Sequence, residues 1–151
     1  ALVGLSDGTR AELAQHGIRV TTVSPGLMRT GSPPNVDVKG KHEEEYAWFV
    51  VADSTPGLST SAERAARQIV EACRHGDPEL TITLPARLAM IAAHLVPAAV
   101  GRAMILANRL LPGAGGPEGN RGKAGRDAVS DLIPPGSTIL TDRAAMANNE
   151  V

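Results

Sequence analysis

The first 26 residues constrain the fold more than any other part of the chain. Leucines recur with helical spacing over residues 1–16, and Gly17 stands where a helix is expected to end. Residues 18–24 are mostly β-branched, as in a β-strand, and Pro25-Gly26 follows them as a turn. A helix joined by one glycine to a strand is half of a β-α-β unit. Such units build parallel sheets, so the sequence predicts an α/β fold.

A second helix and a second strand follow later in the chain. The helix is predicted over residues 61–75, with Thr60 and Glu63 as a capping box and Gly76 at its end. Its apolar stripe is expected to face the core. The members of that stripe are Ala62, Ala65, Ala66, Ile69, Val70 and Cys73. The alternating segment 80–84 is predicted to be the second strand.

Residues 85–111 form a strongly apolar segment that Pro97 divides into two predicted helices. Its longest run without Lys, Arg, Asp or Glu has 14 residues, whereas a membrane-spanning helix needs roughly 20. No acidic residue occurs from 80 to 117, which leaves three interpretations open. The helices pack on the domain or on a second subunit, attach peripherally to a membrane through their arginines, or cover a substrate entrance.

Composition excludes several classes of function. The chain has 15 basic and 16 acidic residues, which argues against nucleic-acid binding by bulk electrostatics, and we expect no nucleic-acid partner. Its single cysteine, Cys73, excludes an internal disulfide, and no histidine pair has metal-site spacing, so no metal is predicted.

The chain begins inside an apolar helical pattern without a signal segment. We therefore expect a truncated, cytoplasmic polypeptide.

All three aromatic residues fall in a poorly periodic region, 31–59. They are Tyr46, Trp48 and Phe49, and they belong to a short helix predicted over 43–51. A loop of this length inside a compact domain is commonly functional. The aromatic side chains either form the wall of an apolar ligand pocket or anchor a surface helix to the domain.

The joint between the first strand and this loop is the most specific motif, Val-Ser-Pro-Gly-Leu-Met-Arg-Thr over residues 23–30. Ligands of open α/β sheets bind beyond the carboxyl ends of the strands. Gly26 lets the backbone approach a flat ligand, and the Thr30 hydroxyl can hydrogen-bond an amide or a phosphate. A plain strand-ending turn is the alternative interpretation.

Residues 1–30 resemble the segment of the short-chain dehydrogenase/reductase family that follows its catalytic Tyr-x-x-x-Lys. The resemblance rests on the Ala-Leu helix, on Glu12-Leu13, on the Gly-Ile-Arg-Val strand from Gly17, and on the Pro-Gly-x-x-x-Thr motif that ends at Thr30. It extends less closely to residue 84.

The resemblance implies a partial Rossmann-type fold, a doubly wound parallel sheet, with a helical carboxyl-terminal extension. Residues 1–84 would belong to the Rossmann-type domain with 31–59 as its substrate loop, 85–112 to the extension, and 113–151 to a flexible tail. The cofactor would be NAD or NADP, and a hydrophobic carbonyl or alcohol would be the substrate. The implied cofactor residues are Pro25, Gly26, Leu27 and Thr30, and the implied substrate residues are Met28, Tyr46, Trp48 and Phe49.

The family's glycine-rich phosphate turn, catalytic Ser and Tyr-x-x-x-Lys do not occur in this chain, and Tyr46 has Val50 rather than Lys four residues later. The chain is therefore interpreted as the carboxyl-terminal half of a homo-oligomeric NAD(P)-dependent oxidoreductase, inactive alone and without catalytic residues of its own. The alternative is a non-catalytic α/β module that binds a partner or a membrane surface through residues 85–111.

Overall fold

A computed structural model describes residues 2–150 and shows a mixed α/β structure. Helices dominate it, and the strands are short. The α-helices are α1 (Leu2–Ala14), α2 (Ser32–Asn35), α3 (His42–Ser54), α4 (Ala62–His75), α5 (Leu84–Leu95), α6 (Pro97–Asn108), α7 (Gly116–Gly119) and α8 (Ile139–Ala147). The strands are β1 (Thr22–Ser24), β2 (Leu27–Arg29), β3 (Asp37–Val38), β4 (Ser59–Ser61), β5 (Glu79–Thr81) and β6 (Lys123–Ala124).

The strands form separate two-stranded pairs. β1 runs parallel to β5 with Val23 opposite Leu80, and β2 runs parallel to β4 with Met28 opposite Thr60. β3 and β6 are antiparallel. The predicted α/β class and its parallel strand pairing are thus observed. Within residues 2–150, however, no sheet has more than two strands, so a doubly wound sheet is not shown.

Both predicted strands are shorter than expected. The first begins at Thr22 rather than residue 18, because the Val20 carbonyl accepts a hydrogen bond from the Arg10 side chain instead of a neighbouring strand. The second ends at Thr81 rather than residue 84. Leu84 already starts α5, since Pro85 lies in the first turn of that helix, where its fixed φ suits helix initiation.

Arg10 is the main link between α1 and the β1–β5 pair. Its guanidinium donates to the Val20 carbonyl, to the Thr22 hydroxyl at 3.0 Å and to the Pro78 carbonyl at 2.6 Å. α1 itself ends at Ala14, followed by Gly17 with a φ of 71°, as the sequence predicts. No residue of α1 is buried. The hydrogen bonds of one arginine therefore attach α1 to the rest of the fold, a role that a buried apolar helix face normally has.

The helix α4 corrects two predictions. Ser61, not Thr60, caps its amino end by accepting from the Arg64 N–H, while Gly76 ends it in the left-handed conformation as predicted. Of the apolar stripe predicted to face the core, Ala66, Val70 and Cys73 are exposed. α4 contacts β4 and β5, and its buried residues are Ala65 and Ala72. These are seven positions apart on one face, and Cys73 is rotated about 100° away from Ala72.

The core lies around α3. Its buried apolar members are Val38, Tyr46, Val50 and Ala128, with Val36, Val51 and Ile133 packed against them. α3 is longer than the predicted 43–51. Residues 113–151, predicted as a flexible tail, contribute Ala128 and the docked helix α8, in which Thr141 and Ala145 are buried. Whether this segment moves in solution stays a prediction.

The apolar segment forms two helices, α5 and α6, and the predicted break at Pro97 is confirmed. Neither helix contains a buried residue. Across residues 2–150, no helix has both the length and the apolar character that crossing a bilayer requires.

Candidate functional site

The turn after β1 is built around Gly26. This residue has a φ of 69°, in the left-handed region that side chains with a Cβ rarely adopt. A Cβ at this position would also collide with the side chain of Thr83. Backbone conformation and close packing therefore both require glycine here. The outer side of Gly26 is exposed, so its backbone is accessible to a ligand.

Thr30 lies just beyond β2, a strand that the sequence did not predict. Its hydroxyl donates to the Ser32 hydroxyl at 2.8 Å and accepts from the Ser32 N–H at 3.2 Å. Both contacts are local, and Thr30 is only partly buried. A ligand amide can therefore reach this hydroxyl by replacing Ser32 as its partner.

The carboxyl-terminal segment packs against the same region. The Gly31 N–H donates to a carboxylate oxygen of Glu150, and the hydroxyls of Ser54 on α3 and Thr141 on α8 share a buried hydrogen bond. These contacts are not predictable from local sequence patterns, because they join residues 119 and 87 positions apart. The end of the chain thus supports the segment that follows Thr30.

A cleft lies between α3 and the loop after α6. Its volume is about 690 Å³, within the range of small-molecule sites, and apolar side chains dominate its wall. Its polar lining residues include Thr55 and the ion pair of Lys41 with Glu44, in which nitrogen and oxygen are 3.0 Å apart. The lining residues are Lys41, Glu44, Ala47, Trp48, Val51, Ala52, Thr55, Leu58, Leu110, Leu111, Pro112, Gly113, Leu132 and Pro134.

Of the three aromatic residues, Trp48 alone lines this cleft, with 52% of its surface exposed. Tyr46 is 5% exposed in the core, where it anchors α3, and Phe49 is half-buried. Trp48 therefore fits the interpretation as a pocket wall, and Tyr46 fits the interpretation as an anchor of the helix. Met28, also a predicted substrate residue, lies opposite Thr60 in the β2–β4 pair and does not line the cleft.

The turn at Pro25-Gly26 and the cleft are neighbouring but distinct. Leu27 in β2 lies opposite Ser59 in β4, and Leu58, the residue before Ser59, lines the cleft. The predicted cofactor residues are therefore one strand away from the cleft wall. Pro25, Gly26 and Thr30 do not line it.

The environment of Tyr46 is unsuited to proton transfer. Burial raises the pKa of its phenol above the ordinary value, and the nearby Asp142 carboxylate raises that pKa further. A general base at neutral pH requires a pKa near 7. Tyr46 thus stays neutral near pH 7.

Asp53 is a buried carboxyl group that sequence reasoning missed. It is 2% exposed, and its Oδ2 has no hydrogen-bond partner among residues 2–150. Burial raises the pKa of Asp53 to about 6, and the opposing effect of Arg29 is smaller. The Arg29 guanidinium donates its hydrogen bonds to the carbonyl and hydroxyl of Ser59 rather than to the Asp53 carboxyl group. Helical spacing of 46, 50 and 53 would have placed Asp53 on the buried face if α3 had been extended to residue 54.

The same part of the chain, residues 2–150, contains no group of three His, Cys, Asp or Glu side chains that could hold a metal ion.

Comparisons with known proteins gave no match: no family model, no curated protein and no solved structure is significantly similar to this chain.

Proposed function

We propose that this chain is the carboxyl-terminal half of an NAD(P)-dependent oxidoreductase of the short-chain dehydrogenase/reductase type, which interconverts a carbonyl and an alcohol. The observation that carries the proposal is the parallel β1–β5 pair with the Pro25-Gly26 turn at the carboxyl end of β1. In open α/β sheets this end of the strands is where ligands bind.

The connection between β1 and β5 supports this proposal. It passes through α4, which packs against β5, so the two parallel strands are joined by a helical crossover, as in α/β sheets. Within residues 2–150, β1 pairs with β5 alone, and α1 has no buried residue. An open strand edge beside an uncovered helix is what a Rossmann-type sheet would leave when its preceding strands lie on another part of the protein.

The residues of the turn fit the nicotinamide end of the cofactor. Gly26 exposes its backbone, and Thr30 carries an accessible hydroxyl on the same segment. In this proposal Pro25 and Gly26 would hold the nicotinamide end, Leu27 would line its neighbourhood, and Thr30 would hydrogen-bond the carboxamide. The cofactor supplies the hydride. These residues contribute orientation of the reacting groups rather than proton chemistry.

The cleft beside Trp48 suits a hydrophobic substrate. Its wall is apolar, and it lies one strand away from the turn at Pro25-Gly26. An apolar site excludes water and favours a carbonyl compound with a hydrocarbon body. The general acid/base belongs to the part of the protein that carries the family's Tyr and Lys, so the present chain is expected to show no turnover alone.

Titration of the ¹⁵N-labelled chain with NADH and with NADPH tests the proposal. We expect weak binding, on the order of millimolar, with amide shifts centred on Gly26 and Thr30. Thr30→Val removes one hydrogen bond worth about 1 kcal/mol, so the affinity should fall about fivefold. Thr9→Val on α1 is the matched control and should leave the affinity unchanged.

Two results would contradict the proposal. One is the absence of amide shifts between residues 25 and 30 with both dinucleotides. The other comes from the coding sequence that precedes Ala1: the proposal requires a nucleotide-binding half with a Tyr-x-x-x-Lys there, and an unrelated upstream sequence excludes it.

A further inference from the structure

An exposed apolar stripe runs along α5. It consists of Leu84, Leu88, Ile91 and Leu95, whose spacing of four, three and four residues places them on one helix face. Each is between 55% and 75% exposed. Four large side chains on one face normally mark a surface that another body covers.

The same kind of exposure continues through α6. Met104, Ile105 and Leu106 are all more than half exposed, and Leu110 beyond the helix is more exposed still. Successive helical residues are rotated by about 100°, so these three cover a wide arc of the helix. Together the α5 stripe and this arc are called the α5–α6 surface.

The α5–α6 surface is cationic. No Asp or Glu occurs from 80 to 117, whereas Arg87, Arg102 and Arg109 do. In residues 2–150 none of these three arginines belongs to an ion pair. Arg87 donates to the Thr81 carbonyl and lines a cleft with Asp77 and Glu79, so Arg102 and Arg109 carry the positive charge of this surface. Positive charge without internal acidic partners complements an anionic occupant.

We propose that the α5–α6 surface binds peripherally to a lipid surface that carries anionic head groups. The apolar side chains enter the boundary between head groups and acyl chains, and the arginines contact the phosphates. Each helix has 12 residues, about 18 Å, so the pair lies along the interface instead of crossing a hydrocarbon layer about 30 Å thick.

Charge and shape favour a lipid surface over a protein occupant. A second copy of the chain would bring Arg102 and Arg109 of both copies together, and α6 has no acidic residue to pair with them, which disfavours pairing through this helix. A groove on a partner protein accepts one helical stripe. The arc from Met104 to Leu106 is wider than a stripe and suits a fluid interface.

Co-sedimentation of the chain with vesicles tests this proposal. We expect binding to phosphatidylcholine vesicles that contain phosphatidylglycerol, at least tenfold stronger than to phosphatidylcholine alone, and weaker at high salt. Leu88→Ser with Ile91→Ser should lower the partition coefficient more than tenfold, because two buried apolar side chains are lost. Arg102→Gln with Arg109→Gln should lower it about 25-fold on the anionic vesicles and little on the neutral ones.

Matched controls come from α4, where Val70→Ser and Arg67→Gln replace exposed residues of the same type and should leave binding unchanged. Circular dichroism of every variant checks that helix content is retained. The proposal is overturned if the chain stays in the supernatant with both vesicles. It is also overturned if Leu88→Ser with Ile91→Ser instead dissociates a dimer, or if polyglutamate binds the chain while anionic vesicles do not. No step uses a dinucleotide, so the outcome is independent of the proposed hydride transfer.

Discussion

The helix α3 and the helix pair α5–α6 differ in how many of their residues are buried, and this difference is not evident from their sequences. α3 starts with three glutamates, yet it buries Tyr46, Val50, Asp53 and Ser54. The pair α5–α6 contains no acidic residue, yet none of its residues is buried. Apolar content therefore does not decide which helix joins the core. α3 is buried because α8, β2 and α2 lie against it, whereas α5 and α6 contact mainly each other.

The difference predicts unequal responses to truncation of a large side chain. Tyr46→Ala removes an aromatic ring from the core cluster and should lower the free energy of unfolding by about 3 kcal/mol or more. Leu88→Ala on α5 removes a side chain that is 58% exposed, so the change should stay within about 0.5 kcal/mol. Urea unfolding followed by Trp48 fluorescence measures both. Similar losses at the two sites would mean that α5 is packed in solution.

The buried face of α3 also predicts a pH dependence of stability, through Asp53. The pKa of Asp53 is about 6 in the fold, against 3.8 ordinarily. Between these values the folded chain binds a proton that the unfolded chain does not. The contribution of Asp53 therefore makes the fold more stable as pH falls through 6 towards 4, and less stable as pH rises.

Asp53→Asn separates this contribution from those of the other carboxylates. The amide has no charge to desolvate, so the variant should be more stable than the parent chain above pH 7 by about 2–3 kcal/mol, with the difference vanishing near pH 4. Asp77→Asn, an exposed site, is the control. A constant difference between parent and Asp53→Asn across this pH range would show that Asp53 is ionised at the same pH in both states.

Local signals in the sequence predicted the elements that local physics determines. Gly17, Gly76 and Pro97 mark helix ends or a helix break, as glycine's left-handed conformation and proline's missing N–H require. The parallel pairing of β1 with the strand after α4 was also predictable. For the candidate site, only the turn around Gly26 and the wall residue Trp48 could be found in this way.

The remaining features depend on contacts between distant residues. The strand β2 exists because β4 pairs with it some 30 positions later, and the support of Gly31 by Glu150 crosses most of the chain. Asp53 was missed because the end of α3 is set by what packs on it rather than by a breaker residue. Periodicity identifies a face, but only the partner decides whether that face is buried.

The amino end of α4 provides the smallest and sharpest comparison, between two adjacent hydroxyl residues. The sequence pattern assigned the cap to Thr60, whereas the structure has the Ser61 Oγ accepting from the Arg64 N–H at 3.3 Å. Ser61→Ala should therefore lower the free energy of unfolding by about 1 kcal/mol, since one amide of the first turn loses its partner. Thr60→Val keeps the shape of that buried side chain and should change stability by less than about 0.5 kcal/mol. If Thr60→Val has the larger effect, Thr60 is the cap in solution and the helix begins one residue earlier.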